Sequence, residues 1–141
     1  MPAPHPLLKD LNETQCRAVS AAPNTNVLVL AGAGSGKTRV LAHRVAWLVD
    51  QGVPPWGILA VTFTNKAARE MRERIERLIQ QPAGGLWIGT FHGLAHRLLR
   101  LHWAEAGLPV SFQIIDSDDQ FRLVRRILKD LSLDETRWPP R

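Results

Sequence analysis

Residues 31–38 read AGAGSGKT and follow directly on the apolar run VLVL at 27–30. Eight small or flexible residues in a row cannot fill a core, so their use lies in the backbone. Gly32, Gly34 and Gly36 are free to adopt the conformations that turn successive N–H groups toward one point. The flanks narrow the fold further. VLVL suits a short strand covered on both faces. TRVLAHRVAWLVDQ places Val40, Leu41, Val45 and Leu48 at helical spacing, and Gly52, Pro54 and Pro55 then stop the helix. A helix beginning at about Gly36–Lys37 would aim its unpaired N–H groups and positive dipole end at an anion held by the loop; the plainer alternative is a glycine-rich turn with a lysine by chance, against which the buried strand before and the amphipathic helix after both count.

The alternation continues along the chain. LNETQCRAV reads as a short helix with Asn12 and Gln15 as a capping box. ILAVTF (58–63) reads as a second strand and NKAAREMRERIERLI as a helix with Ala67, Met71, Ile75, Leu78 and Ile79 on one stripe. PAGG marks a turn, LWIGTF (86–91) a third strand, and GLAHRLLRLHWAEAG a helix closed by Gly107. FQIID (112–116) is a fourth strand candidate ahead of the helix DDQFRLVRRILKDL, with Ser117 and Gln120 as its capping box. Strands and helices in alternation imply an α/β fold with a parallel sheet flanked by helices. Ligands then bind at the carboxyl ends of the strands, where AGAGSGKT, TFTNKAA and GTFHG would share one edge.

The 141 residues suffice for one hydrophobic core, and the 45% apolar and 22% charged content is that of a globular chain. The single cysteine, Cys16, excludes an internal disulfide framework and fits a reducing, cytoplasmic setting; it reads as a half-buried small residue on a helix. No apolar run approaches a membrane span, and the proline-containing residues 1–10 read as an extended lead-in rather than a secretory signal. The net charge of +5 points mildly to a polyanionic partner.

AGAGSGKT resembles a Walker A loop, with Ala31 in place of its first glycine. The resemblance makes Ala31, Gly32, Ala33, Gly34, Ser35 and Gly36 a phosphate cradle. Lys37 would reach the β- and γ-phosphates of ATP, and the Thr38 hydroxyl would bind Mg²⁺. The loop alone leaves kinase, GTPase and ATP-driven motor open.

LNETQ, AGAGSGKTRV, AVTFTNKAA (60–68) and GTFHGLAHRLLR (89–100) stand in the order and spacing of superfamily 1 DNA helicases, and the chain most resembles the UvrD/Rep/PcrA group from Leu11 onward. That resemblance implies a RecA-like P-loop NTPase fold. It assigns Gln15 to the adenine edge and Arg39 to the neighbourhood of adenine and phosphates. It assigns Phe63 to base stacking on single-stranded DNA, Thr64 and Asn65 to hydrogen bonds with the DNA backbone, and Thr90 and His92 to the same strand. Each residue also has a plainer reading. Gln15 is a capping-box member, Arg39 a solvated charge, Phe63 a buried strand-end residue and Asn65 the next N-cap. Phe91 is expected to pack inward, and His96 and His102 to be structural or surface residues. Asp116, Asp118 and Asp119 could pose as a Walker B acid, but suit a helix N-terminus better.

The resemblance further implies a first-part motor domain at 11–116 and the start of an inserted helical subdomain at 117–141. It makes the stretch the N-terminal, ATP-binding and single-stranded-DNA-contacting part of a 3′–5′ helicase acting in DNA repair, with repair-protein partners engaging other regions. The family's DEXQD-type motif and its arginine fingers do not occur in the stretch, so by itself it should neither unwind DNA nor hydrolyse ATP well. The last helix, with Phe121, Val124, Ile127, Leu128 and Leu131 on one face, should leave that face exposed, mobile or dimer-forming. Two competing readings are a P-loop small-molecule kinase, which leaves TFTNKAA unexplained, and a non-catalytic nucleic-acid-binding module.

Overall fold

A computed structural model describes residues 5–140. Helix α1 spans Glu13–Ser20, α2 Lys37–Asp50, α3 Asn65–Ile79, α4 Phe91–Leu101 and α5 Ser117–Asp130. Strands β1, Leu59–Thr62, and β2, Trp87–Thr90, run parallel with Ala60 opposite Ile88 and Thr62 opposite Thr90. The chain divides into two compact units, one up to Ala95 and one from His96, the division falling within α4.

The first unit is built on α3. Its stripe buries Met71 and Ile75 completely, against Ala42 and Val45 of α2 and against Ile58, Ala60, Leu86 and Ile88 around the sheet. Long side chains then fasten the α3–β2 connection: Arg72 donates to the carbonyls of Ala83 (3.4 Å) and Ile88 (3.0 Å), and a Glu76 carboxylate oxygen accepts from the Ala83 N–H at 3.1 Å. The two sheet faces are covered unequally: Ala60 and Ile88 are buried on one, whereas on the other Val61 and Trp87 are half-buried and Leu59 is 63% exposed.

Two of the four expected strands are absent. VLVL carries no strand pairing, and Leu28 and Leu30 are more than four-fifths exposed. FQIID is likewise irregular, with only Phe112 buried. A strand exists through its neighbour's hydrogen bonds, and among the described residues neither segment has such a neighbour. Of the expected lead-in, residues 1–4 lie outside the described residues. Residues 6–8 are not extended; Pro6–Leu8 form a 3-10 turn whose Leu7 is buried. Its carbonyl lies 2.8 Å from Nδ1 of the buried His43.

The second unit holds the end of α4, a turn region and α5. Phe112 sits 4.4 Å under the Arg100 guanidinium, which also donates to the Val110 carbonyl at 2.9 Å and to His96 Nε2 at 3.2 Å. His96 and His102 are thus structural or surface residues, as expected; His102 faces Glu105 at 3.3 Å. Asp116, not Ser117, caps α5, its carboxylate accepting from the Asp119 N–H at 2.8 Å. An acid at that place is a helix cap, which the dipole favours, and not the end of a buried strand. The apolar face expected on α5 is only partly exposed: Phe121 (42%), Ile127 (47%) and Leu131 (63%) reach solvent, whereas Val124 and Leu128 are half-buried.

Candidate nucleotide and nucleic-acid site

The N-termini of the helices differ in one informative way. Asn12 caps α1, Thr64 caps α3 and Asp116 caps α5, each by a side-chain oxygen on a first-turn N–H. The Thr90 hydroxyl does the same for α4, accepting from the Gly93 N–H at 3.1 Å. α2 has no such side chain. Its N-cap is Gly36, at φ +85°, with Gly34 at φ +74° just before it. These left-handed conformations suit glycine. The first turn of a 14-residue helix therefore presents N–H donors that its own chain does not cap.

Lys37 stands at the start of α2 and folds back over the loop, Nζ donating to the carbonyls of Ala31 (2.8 Å) and Gly32 (2.6 Å). Ser35 Oγ closes the loop on the Gly32 carbonyl at 2.7 Å. The backbone at Gly36 also meets α1: a Cβ there would lie 3.2 Å from Gln15 Nε2. Gln15 has the expected capping box with Asn12, and its Nε2 faces the Ser35 carbonyl at 3.4 Å. Arg39 is not a solvated charge. Its guanidinium donates to the Asp10 carbonyl at 2.6 Å and binds the lead-in to α2. A cleft of about 580 Å³ opens between α1, residues 27–31 and Lys37, with Gln15 and Ser35 in its wall.

The second and third loops join the first at one edge. A cleft of about 360 Å³ is lined by Lys37 and Thr38 of α2 and by Thr62, Phe63 and Thr64 at the end of β1. Phe63 is not buried; it is 91% exposed and its ring lies 5.9 Å from that of Phe91. Phe91 does not pack inward either, being 59% exposed. It is the first residue of α4 and follows immediately on Thr90, the last residue of β2. Sequence reasoning missed this second aromatic; the signal was its place one residue past the strand. Asn65 begins α3 but does not cap it, since Thr64 Oγ1 takes the Ala67 N–H at 3.1 Å. Asn65 and His92 are exposed. Cys16 is half-buried on α1, as expected. Among the described residues no group of three or more His, Cys, Asp or Glu side chains could hold a metal ion.

Residues 11–141 match the family model of the UvrD/REP helicase N-terminal domain. The chain belongs to the UvrD/Rep helicase family. Within it, the chain is 62% identical over 136 residues to DNA helicase II of Escherichia coli, covering 96% of this chain and 19% of that protein. It is 56% identical over 140 residues to DNA helicase II of Haemophilus influenzae, covering 96% and 19%. It is 47% identical over 136 residues to the ATP-dependent DNA helicase PcrA of Bacillus subtilis, covering 96% and 18%. The chain thus spans about a fifth of the length of these UvrD/Rep relatives. No helix among its described residues is long and apolar enough to cross a membrane.

Proposed function

We propose that this chain is the ATP-binding and single-stranded-DNA-contacting part of an ATP-dependent 3′–5′ DNA helicase acting in DNA repair in the cytoplasm. The observation that carries the reading is the convergence of three loops. An uncapped helix start with two left-handed glycines shares a cleft with the end of β1, and the exposed Phe63 on that strand end meets Phe91 at the end of β2.

The residues fit a Mg²⁺-nucleoside triphosphate. The amides of the glycine loop and of the first turn of α2 suit phosphate oxygens, and the helix dipole adds to their attraction. Lys37 would exchange two loop carbonyls for the β- and γ-phosphates, a charge-assisted contact stronger than the neutral acceptors it leaves. Thr38, exposed beside it, would hold Mg²⁺, which neutralises charge on the transferring phosphoryl group. Gln15 would read the adenine edge, and Arg39, beside the phosphates, anchors the segment that carries Gln15. The fold supporting this is the first part of a RecA-like P-loop domain over 11–116, with 117–141 opening an inserted helical subdomain.

Unpaired DNA would lie across the same edge. Phe63 and Phe91 give its bases an aromatic face, which binds without sequence preference. Asn65 and His92 would donate to phosphates, together with the hydroxyl protons of Thr64 and Thr90, whose oxygens cap the helices behind them. The small-molecule kinase reading leaves this exposed aromatic pair without a role. The test is a strand-displacement assay on the full-length protein with ATP. Duplexes with 3′ single-stranded tails should be unwound and those with 5′ tails should not, and activity should vanish in Lys37→Ala. Unwinding that survives in Lys37→Ala would refute the assignment.

A further inference from the structure

Helix α1 has only eight residues, too few to hold itself in place, so its position depends on side chains reaching from elsewhere. At its C-terminal end the chain turns away through Ala21 at φ −56° and ψ 150°, without the left-handed residue that commonly closes a helix. Arg44, from the middle of α2, supplies the closure instead. Its Nη1 donates to the carbonyls of Val19 (2.8 Å) and Ala21, and its Nη2 to that of Ala22 at 3.0 Å. A guanidinium is suited to this: its fork reaches several carbonyls at once, and its charge complements the negative end of the helix. The same two helices carry the parts of the proposed nucleotide site. α2 begins at the glycine loop, and α1 carries Gln15.

Gln15 has little freedom of its own. Its Oε1 accepts from the Asn12 N–H at 3.1 Å, and its Nε2 faces Ser35 O at 3.4 Å. One lone pair and one N–H remain, which matches adenine: a donor at N6 and an acceptor at N7. Guanine shows two acceptors there. The amide thus bridges the start of α1 and the glycine loop, and a shift of α1 changes its place against the Ser35 carbonyl. Lys37 belongs to α2 and the glycine loop leads directly into it, so both stay with α2.

We propose that Arg44 is a positioning residue for purine recognition: by clasping the carbonyls of Val19 in α1 and of Ala21 and Ala22 just past its end, it sets where Gln15 stands beside the glycine loop, and with it the preference for adenine over guanine. The inference rests on Gln15 being the adenine-reading residue. The test is steady-state hydrolysis of ATP and GTP by the full-length protein, comparing wild type, Gln15→Ala and Arg44→Lys. Arg44→Lys keeps a cation near the carbonyls but loses the fork. KM for ATP should rise roughly fivefold, the worth of one neutral hydrogen bond. KM for GTP and kcat with either nucleotide should stay unchanged. A merely structural role would shift both nucleotides alike, and that result, or an unaltered ATP-to-GTP ratio, overturns the proposal. Gln15→Ala separates the two layers. If it leaves the ratio untouched, the adenine reading itself is wrong; if it lowers the ratio while Arg44→Lys does not, only the positioning role falls. Should Arg44→Lys fail to fold, hydrogen exchange of the wild type decides. Amides of Ser20, Ala21, Ala22 and Asn24 should gain protection with ATP and not with GTP, and equal gains would overturn the proposal.

Discussion

At the scale of single residues, side chains divide into those that hold the fold and those that face outward. Phe63 contributes almost nothing to packing, being 91% exposed. Phe63→Ala should therefore leave the melting temperature unchanged while weakening single-stranded DNA binding roughly 5- to 150-fold, the range for losing one stacked base. Fluorescence anisotropy with an oligonucleotide measures it. Gly36 is the opposite case. An alanine there would carry a φ of +85° and a Cβ 3.2 Å from Gln15 Nε2. Gly36→Ala should cost about 1–2 kcal/mol in denaturant unfolding from the left-handed strain alone, and should weaken nucleotide binding as the loop shifts. Arg44 is the residue whose role was hardest to see in the sequence. Nothing in HRVAWL separates a clasp from a solvated arginine, because its acceptors lie 22 to 25 residues earlier. Burial there pushes its guanidinium pKa down.

Elements were legible to the degree that their determinants were local. The helices follow their caps and stripes closely: α3 occupies the expected 65–79, and α2 ends two residues before Gly52, which takes φ +82°. Cap positions slipped by one residue at Thr64 and Asp116, because neighbouring polar residues compete for the same N–H and only backbone geometry decides. The strands behaved differently. ILAVTF and LWIGTF found each other, whereas VLVL, at least as strand-like by composition, did not. Pairing is non-local, and no pattern within four residues reports whether a partner exists. In the 141-residue chain, amides of 27–30 should accordingly exchange with solvent far faster than those of Ala60–Thr62. Protection of both segments alike would show that the described residues already supply VLVL with a partner. Thr64→Ala should destabilise the first unit by about 1 kcal/mol through loss of the α3 cap, read by chemical denaturation. The second unit carries an acid-sensitive element. The N–H of Thr136, and then its hydroxyl, hold the Asp134 carboxyl below its usual range. The folded state then binds a proton less readily than the unfolded chain. That stabilisation is complete above the unfolded carboxylate pKa and is lost as pH falls through the folded one. A pH series of melting curves should show the loss in wild type and its reduction in Asp134→Asn.

For the molecule as a whole, the helicase reading makes one charge-based demand and one positional demand. The net charge of +5 and the phosphate-facing edge require that single-stranded DNA binding fall with salt, with a log–log slope of about −0.7 per phosphate contacted. A salt-independent affinity would remove the backbone contacts from the account. The positional demand is the central one: the triphosphate sits on the main-chain amides between Gly34 and Thr38. Backbone amide chemical shifts recorded on adding ATP with Mg²⁺ test it directly. The resonances of Gly34, Gly36, Lys37 and Thr38 should move furthest, and Lys37→Ala should abolish the response. Shifts centred elsewhere, with those four amides unmoved at saturating nucleotide, would contradict it.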